Sequence, residues 1–193
     1  MTEQDLLSKI ANADPKACAA FYMLFKDRVF STVYSYLRQA EETEEVTQDV
    51  FIEIYRSARF FNARSSVSTW VYKITINKSL DKLRYLKAKK RFAFLTSRLS
   101  TDEDESFKNN IPDTTHHGLD ADKKESLGIL LAAIDRLPEN QKTALILTQL
   151  ELLKGKEAAD IMGVSAKAVE GLIQRAKSNL KKELEKIYNR QRN

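Results

Sequence analysis

The chain has 193 residues, of which 42% are hydrophobic and 31% charged, and its formal net charge is +5. This length and apolar content suffice for two small domains, and so small a positive excess indicates a polyanionic partner only weakly. Five glycines, three prolines and no alternation of β-branched residues argue against a strand-rich fold, so we expect an all-α protein.

The single cysteine, Cys18, excludes an internal disulfide and a cysteine-built zinc cluster. It lies in the apolar helical run 17–25, which favours a buried thiol in a reducing compartment. No apolar stretch approaches the roughly 20 residues that span a bilayer, and the first 16 residues lack the pattern of a signal peptide. We therefore expect a cytoplasmic protein without membrane insertion.

Helical periodicity predicts three helices in the first half of the chain, over residues 17–37, 44–57 and 68–90. The stretch 59–67, between the last two, breaks this periodicity. It is therefore predicted to be irregular.

The helix 44–57 carries a row of polar residues on its predicted outer face. At three-four spacing this row consists of Glu45, Gln48, Asp49 and Ile52. Carboxylates and an amide beside an exposed isoleucine suit docking on a basic partner helix. The alternative is purely structural: acidic residues near a helix start interact favourably with the helix macrodipole, and Thr43 would be the N-cap. Taken alone, the residues favour this simpler interpretation.

The irregular stretch and the start of the next helix combine aromatic, arginine and small polar residues, in the sequence FFNARSSVSTWVY from Phe60 to Tyr72. Proteins bind single-stranded DNA with such combinations of residues, because basic side chains lie along the phosphates and polar groups contact an unstacked base. The alternative is that Trp70, Phe60 and Phe61 belong to the core, and we favour it for Trp70. For the loop 62–68 we favour a functional role.

The helix 68–90 is basic, because eight basic residues between positions 71 and 91 face a single acid, Asp81. Lys73, Asn77, Asp81 and Arg84 recur at near-regular helical spacing. This pattern favours contact with phosphates over an ordinary solvated charged face.

The charge balance reverses between residues 99 and 126, where eight acidic residues outnumber three basic ones. With Pro112, Gly118 and few large apolar residues, this stretch cannot bury enough surface to offset chain entropy. We interpret residues 95–126 as a flexible acidic linker that separates a domain over 1–94 from a domain over 127–193.

The second domain begins with predicted helices over 127–137 and 139–153, the latter opened by Pro138. The stretch 152–180 then predicts two short helices joined by the turn 162–165. This is the pattern of a helix-turn-helix, whose second helix lies in the DNA major groove.

The last helix has an apolar face and an opposite face suited to reading bases. The predicted buried residues are Val169, Leu172, Ile173, Ala176, Leu180 and Leu184. The outer residues are Lys167, Glu170, Gly171, Gln174, Arg175 and Ser178.

Arginine can bond guanine and glutamine can bond adenine bidentately, each pair giving roughly 1–3 kcal/mol of base discrimination. A helical glycine costs about 1 kcal/mol relative to alanine, and close backbone approach to DNA would explain it. The alternative, an ordinary solvated face in a three-helix bundle, is the less favoured interpretation.

The sequence contains no nucleophile motif and no glycine-rich phosphate loop. His116 and His117 lie in the predicted linker without a recognised metal-ligand spacing. We therefore expect no enzymatic activity, no cofactor and no metal.

In their order and spacing these segments resemble the sigma-70 family of bacterial transcription initiation factors, in particular the two-domain extracytoplasmic function (ECF) group. EETEEVTQDVFIEIY resembles the family's core-polymerase-binding helix, and STWVYKITINKSLDKLR resembles its Trp-containing segment followed by Asn-x-x-x-Asp-x-x-Arg. RLPENQKTALIL with the helix-turn-helix resembles region 4. The resemblance covers about residues 17–91 and 127–187 and implies sigma region 2 over 1–94 and sigma region 4 over 127–193.

The resemblance also implies partners for each surface. Glu45, Gln48, Asp49 and Ile52 would bind core RNA polymerase at the beta-prime clamp helices, which reverses the simpler interpretation given above; contact with the beta subunit is also implied. The residues implied at the minus-ten element, where a flipped base is captured, are Asn62, Arg64, Ser65, Ser68, Lys73, Asn77, Lys78 and Arg84. Those implied at the duplex minus-thirty-five element are Lys167, Glu170, Gly171, Gln174, Arg175 and Ser178. An anti-sigma factor is a further expected partner.

The chain departs from the family at two places. Glu170 and Gly171 replace frequent basic or hydroxyl residues, which implies a weaker phosphate grip and a different promoter sequence. Leu152 and Lys154 replace frequent glycine and serine, which affects the cap of the first helix of the helix-turn-helix.

Two other functions remain as alternatives. A stand-alone helix-turn-helix regulator would need a self-complementary patch and paired half-sites, and neither is visible. A helical protein-binding adaptor would not account for the basic helix 68–90.

Overall fold

The computed structural model describes residues 2–97 and 121–191, and within these ranges the chain is helical without strands. The helices are α1 (Glu3–Ala11), α2 (Pro15–Leu37), α3 (Ala40–Ser57), α4 (Val67–Ser97), α5 (Ala121–Asp135), α6 (Glu139–Leu145), α7 (Gly155–Met162) and α8 (Ala166–Gln191). A short 3-10 helix, Ala58–Phe60, precedes α4, and a π-helical segment, Ile146–Leu150, follows α6. The predicted all-α class is confirmed.

The predicted linker 95–126 is described only at its two ends. Helix α4 continues to Ser97 and helix α5 begins at Ala121, so both enter the predicted linker. The rest of that prediction, residues 98–120, lies outside the described residues. None of the described helices combines the length and apolar composition needed to cross a bilayer.

Helix α1 was not predicted, although the sequence carries its start signal. The Thr2 hydroxyl accepts a hydrogen bond from the Asp5 amide at 3.1 Å, and the Asp5 carboxylate accepts one from the Thr2 amide at 2.8 Å. This reciprocal capping box satisfies two amides that a helix start leaves unpaired. The helix buries Leu6, Leu7 and Ile10 against the rest of the first half.

Helix α3 begins at Ala40, four residues before the predicted start. The interpretation of Thr43 as an N-cap is therefore wrong. Thr43 is fully buried in the first turn, and its hydroxyl donates to the Gln39 carbonyl at 2.7 Å. A threonine that bonds the carbonyl four residues earlier is compatible with helix, so the predicted boundary was placed one turn too late.

The core runs through both halves of the described chain. Fully buried side chains of the first half include Phe21, Phe25 and Ile54, and those of the second half include Leu147 and Val169; all belong to one continuous apolar cluster. A smaller cluster of Ile134, Leu137, Leu145 and Ala176 joins α5, α6 and α8. The two halves are therefore packed against each other.

The predicted helix-turn-helix is confirmed. Helix α7 ends at Met162, and Gly163 follows in the left-handed conformation at φ +68°, which reverses the chain direction. The Ser165 hydroxyl accepts from the Ala168 amide at 3.2 Å and caps α8. Val169 and Ala176 are fully buried, as the predicted inner face of the last helix requires.

Leu152 lies in the left-handed region at φ +55° with 81% of its surface exposed. A side chain in that conformation costs about 1–2 kcal/mol, whereas glycine adopts it without steric strain. We expect Leu152→Gly to raise the free energy of unfolding by about 0.5–1 kcal/mol in urea denaturation, after allowance for the greater freedom of glycine in the unfolded chain. Leu150→Gly, at an exposed leucine inside the π-helical segment, should lower it. Loss of stability in both variants would contradict this account.

Candidate nucleic-acid and protein interfaces

The outer face of α3 is open to solvent. Its buried side consists of Val46, Val50 and Ile54. The predicted docking residues lie opposite and are all exposed: Glu45, Gln48, Asp49 and Ile52. An isoleucine with 46% of its surface exposed beside carboxylates can supply desolvated area in a complex, as a docking face requires.

Glu45 already has an intramolecular partner. Lys82 of α4 places its Nζ 2.7 Å from Glu45 Oε2 and 2.6 Å from Glu42 Oε2, and these hydrogen bonds raise the pKa of Lys82. Lys82 thus ties α3 to α4. In the described part of the chain the side chains of Gln48 and Asp49 have no hydrogen bond or ion pair, so they are the polar groups of this face that are available to a partner.

The loop before α4 is shaped by bonds from short side chains to its own backbone. The Asn62 Oδ1 accepts from the Arg64 amide at 3.3 Å, and Ala63 between them has φ +56°. The Ser66 hydroxyl accepts from the Thr69 amide at 3.0 Å and caps α4. These bonds hold Asn62 and Arg64 on the surface.

A polar cleft of about 420 Å³ opens beside this loop. It is lined by Arg64, Ser65, Ser66, Thr69 and Lys73 from the loop and α4, and by Lys156, Glu157 and Asp160 from α7. Three of the predicted minus-ten residues therefore share one site. The α7 residues were not predicted to join them, because no local pattern reports a contact between distant segments.

Other predicted minus-ten residues lie apart from this cleft. Ser68 is half-buried and its hydroxyl donates to both carboxylate oxygens of Glu3 on α1, at 3.3 Å each. Lys78 lies beside α3, with its Nζ 3.3 Å from Glu53 Oε2. Asn77 is exposed on α4.

Arg84, at the end of the motif Asn-x-x-x-Asp-x-x-Arg, is engaged by two carboxylates. Its Nη2 donates to Glu139 Oε2 at 2.8 Å and its Nε to Glu139 Oε1 at 3.3 Å, while Nη1 donates to Asp81 at 3.2 Å. The hydrogen bond from Arg84 lowers the pKa of the Glu139 carboxyl, which therefore stays ionised. A bidentate carboxylate occupies the guanidinium edge that a DNA phosphate would use.

The aromatic residues of this segment differ in burial. Trp70 is half-buried, packs against the core and lies 5.4 Å from the Phe61 ring, which confirms the core interpretation for Trp70. The same interpretation is wrong for Phe60, which is 70% exposed and has the Arg59 guanidinium 4.7 Å above its ring. Phe60 ends the 3-10 helix, where the turn directs its side chain outward.

The predicted reading face of α8 is open to solvent between Lys167 and Ser178. Lys167, Glu170, Gln174, Arg175 and Ser178 are exposed, and Gly171 is half-buried among them. The Arg175 Nε donates to the Gly171 carbonyl at 3.1 Å, and a Cβ built at Gly171 would contact only Arg175 Nη2, at 3.9 Å. Packing within the described chain therefore does not require a glycine at this position.

Within residues 2–97 and 121–191, no group of three or more histidine, cysteine, aspartate or glutamate side chains is arranged to hold a metal ion. His116 and His117 lie outside the described residues.

Comparison with known proteins identifies two family regions in the chain. A sequence model of Sigma-70 region 2 matches residues 21–89, and a model of Sigma-70 region 4 matches residues 127–180, so the two matches together cover more than half of the chain. The first contains the loop and most of the basic part of α4, and the second contains the predicted helix-turn-helix stretch 152–180.

Two relatives that align with nearly the whole chain are named as ECF sigma factors. The chain is 28% identical to an ECF RNA polymerase sigma-E factor of Haemophilus influenzae, over 97% of both proteins. It is 25% identical to the ECF RNA polymerase sigma factor SigW of Bacillus subtilis, over 92% of this chain and 94% of that one.

Solved structures share the fold. CnrH, in a complex with the cytosolic domain of CnrY, superposes with a TM-score of 0.66 at 19% identity, over 95% of this chain and 97% of that chain. The sigma factor RpoE of Bartonella quintana, in a complex with the anti-sigma factor NepR, gives 0.59 at 19% identity, over 85% and 94%. With both region matches in chain order and relatives that align along nearly the whole length, the chain belongs to the sigma-70 family and is a transcription initiation factor of its ECF group.

Proposed function

We propose that this sigma factor binds core RNA polymerase through α3, holds the opened minus-ten element with the loop 62–66 and α4, and reads the minus-thirty-five element with α8. Sigma region 2 would span residues 1–94 and sigma region 4 residues 127–193, joined by the linker 95–126. The observation that supports this most strongly is that the three surfaces face solvent on one chain and coincide with the matched regions. Family membership favours this function over the stand-alone regulator and the protein-binding adaptor.

At the polymerase, Gln48, Asp49 and Ile52 would contact the beta-prime clamp helices directly. Glu45 would contact them through its Oε1, because Lys82 holds its Oε2. Sigma region 4 would contact the beta subunit. Charge on such a face sets docking register and association rate, while Ile52 adds desolvated apolar area.

At the minus-ten element, Arg64 and Lys73 would follow the phosphates of the opened strand, and Asn62 and Ser65 would contact the flipped base. Extruding a base costs a few kcal/mol, which these contacts would offset. Ser68 would act indirectly by holding the start of α4 against α1. The chain itself would perform no covalent chemistry and would work in the cytoplasm, where core polymerase supplies catalysis.

An anti-sigma factor is a further proposed partner. Two proteins of the same fold are each seen in a complex, CnrH with the cytosolic domain of CnrY and RpoE of Bartonella quintana with the anti-sigma factor NepR. The exposed face of α3 would be one target for such a partner, because covering it would block the polymerase.

At minus thirty-five, the glycine in α8 gives a specific prediction. Gly171→Ala should stabilise the free protein by about 1 kcal/mol, since alanine is the better helix former and its Cβ meets no backbone. If the α8 backbone approaches DNA at this point, the same variant in holoenzyme should bind promoter duplex more weakly. Thermal unfolding and duplex titration measure the two effects, and unchanged or tighter duplex binding would contradict the proposed approach.

The proposal is tested by selection of DNA. The full chain should co-elute with bacterial core polymerase in gel filtration, and the complex should enrich genomic fragments that share two short elements at a fixed spacing. Core polymerase alone is the control and should enrich no such pair. Enrichment of paired half-sites by the chain without polymerase would favour a stand-alone regulator instead.

A further inference from the structure

Helix α2 exposes large apolar side chains on the side that faces away from the core. Its inner side packs against α1, α3 and α4. On the outer side Met23 has 62% of its surface exposed, and Tyr22, Leu24 and Phe30 are exposed as well. Single exposed apolar residues are common, whereas a group of them on one face marks an interaction surface. None of these residues belongs to the surfaces proposed above for polymerase or DNA.

Four residues form a stripe along the middle of this outer face. Ala19, Met23, Phe30 and Tyr34 are separated by four, seven and four positions, so they lie on one side of the helix. The Phe30 and Tyr34 rings are nearly parallel, with 6.3 Å between their centroids. We call these four residues the α2 stripe, and the two stacked rings give it a broad apolar end.

A cation and an anion lie at the midpoint of the α2 stripe. Lys26 is half-buried and Asp27 is exposed, and neither makes a hydrogen bond or an ion pair within residues 2–97 and 121–191. Adjacent residues of a helix do not face each other, so Lys26 and Asp27 do not pair within one chain. Both charges are therefore available to a partner that presents an anion and a cation in the opposite order.

A second copy of α2, laid antiparallel on the first, presents the charges in that order. A two-fold axis midway between Lys26 and Asp27 places each residue opposite the one equally far beyond the axis. Lys26 then lies opposite Asp27 of the second copy, and Asp27 lies opposite Lys26 of the second copy, so two ion pairs form at the centre. The same axis places Met23 opposite Phe30 of the second copy, where a thioether meets an aromatic ring in a favourable contact.

The ends of the α2 stripe match in the same register. Ala19 lies opposite Tyr34 of the second copy, so the smallest side chain of the stripe faces the largest one, and the two helices can pack closely. A parallel pairing would set Lys26 against Lys26 and Asp27 against Asp27, which repulsion between like charges disfavours. Charge and size therefore both select the antiparallel pair.

The apolar surface widens on both sides of the α2 stripe. Tyr22 borders α3, with its ring 4.8 Å from the Phe51 ring, and Leu24 lies on the other side of the stripe. A helix that is apolar on most of its sides is normally buried on most of them, and a paired copy would cover the side that α2 leaves open. One helix pair is a small contact compared with that of a permanent dimer, so the association is reversible.

We propose that two copies of the chain associate through the α2 stripe as an antiparallel, two-fold symmetric pair of α2 helices, with the ion pairs of Lys26 and Asp27 at the axis. This self-association stands independently of the proposed function, because no residue of the stripe is assigned to polymerase or DNA. The sequence did not reveal it, since the pattern of an apolar helix does not show which of its sides stays open.

The pair is tested by sedimentation velocity of the full chain alone, from about 1 to about 300 µM, where small interfaces form and dissociate. The parent should shift from monomer to dimer as its concentration rises. Lys26→Asp and Asp27→Lys each place like charges on both sides of the axis, and each should raise the dimer dissociation constant about tenfold or more. The matched control is Glu185→Lys, which makes the charge change of Asp27→Lys at an exposed position of α8 and should dimerise as the parent does.

Two combinations of the charge variants test the symmetry itself. Lys26→Asp combined with Asp27→Lys in one chain exchanges the charges and re-forms both ion pairs across the axis, so it should dimerise within about twofold of the parent. A mixture of the two single variants should give a mixed dimer, because an acidic midpoint then meets a basic one. A contact elsewhere on the chain predicts neither rescue.

Met23→Glu tests the apolar part of the contact. Met23 is exposed, so the variant should stay folded, as circular dichroism can verify, and its dimer should be weakened about fivefold or more. A parent that remains monomeric, or a dimer that persists unchanged in both single charge variants, would overturn the pairing. A monomeric parent whose Met23→Glu variant binds core polymerase more weakly would also overturn it and would assign the stripe to the polymerase instead.

The failure of this pairing and the failure of the proposed function are distinguishable. Core polymerase is titrated at nanomolar concentrations of the chain, where a weak pair is dissociated, so charge changes at Asp27 should leave core binding unchanged. A parent that dimerises but does not bind core polymerase would refute the proposed function alone.

Discussion

Reversing the charge of Asp49 should weaken binding to core polymerase by tenfold or more. Asp49 is exposed in the middle of the outer face of α3 and has no partner within the described residues, so on the proposed docking face it would present an unpaired carboxylate to the clamp helices. Asp49→Arg would replace an attraction with a repulsion, and like charges across a desolvated contact cost about 2 kcal/mol or more. Titration of labelled full-length chain with core polymerase measures the effect.

The matched control is Asp27→Arg, which makes the same charge change at an exposed position on α2. It should leave core binding within about twofold of the parent, since exposed charges outside a contact contribute little. Equal losses in both variants would indicate a general effect of net charge, and no loss in Asp49→Arg would exclude α3 as the docking face.

Truncating Arg175 should remove discrimination at one upstream base pair, with a loss of about 1–3 kcal/mol on the preferred sequence. In the described chain the Arg175 side chain bonds only the Gly171 carbonyl, an exposed acceptor that water can satisfy, so the guanidinium is free to turn towards a base. The measurement is the affinity of holoenzyme for duplexes in which the upstream base pairs are substituted one at a time. With the parent chain, the affinity should fall at one of these positions. Arg175→Ala should be insensitive to substitution there and should keep its affinity for core polymerase.

Lys177→Ala provides the comparison, because Lys177 is an exposed cation of the same helix outside the predicted reading face. It should preserve the base preference. A uniform loss across all sequences in Arg175→Ala, with a salt slope reduced by about 0.9, would instead identify Arg175 as a phosphate contact.

Sequence patterns predicted the parts of this protein that depend on local periodicity. The predictions were right for the outer faces of α3 and α8 and for the turn at Gly163. Residues buried on one side of a helix recur every three or four positions, so the sequence shows which face is exposed. Helix α1 was missed although Thr2 and Asp5 form a capping box, since a short helix leaves little periodic signal.

The partners of individual side chains could not be predicted. Lys82 bonds Glu45 across 37 positions, Arg84 bonds Glu139 across 55, and Thr32 bonds Glu151 across 119. Spacing identified Glu45 and Arg84 as outward-facing residues, but it contains no information on which distant carboxylate or cation lies opposite. Tertiary packing decides this, and it determines which charges remain available to polymerase and DNA.

The most direct test of the central claim is promoter-dependent transcription by a reconstituted enzyme. Purified full-length chain and bacterial core polymerase are mixed with a genomic library, and transcript start sites are mapped against reactions with core alone. We predict a discrete set of new start sites, each preceded by the same two elements and reduced by Asp49→Arg but not by Asp27→Arg. A chain that forms no stable complex with core polymerase and produces no new start sites would contradict the assignment of these surfaces to transcription initiation.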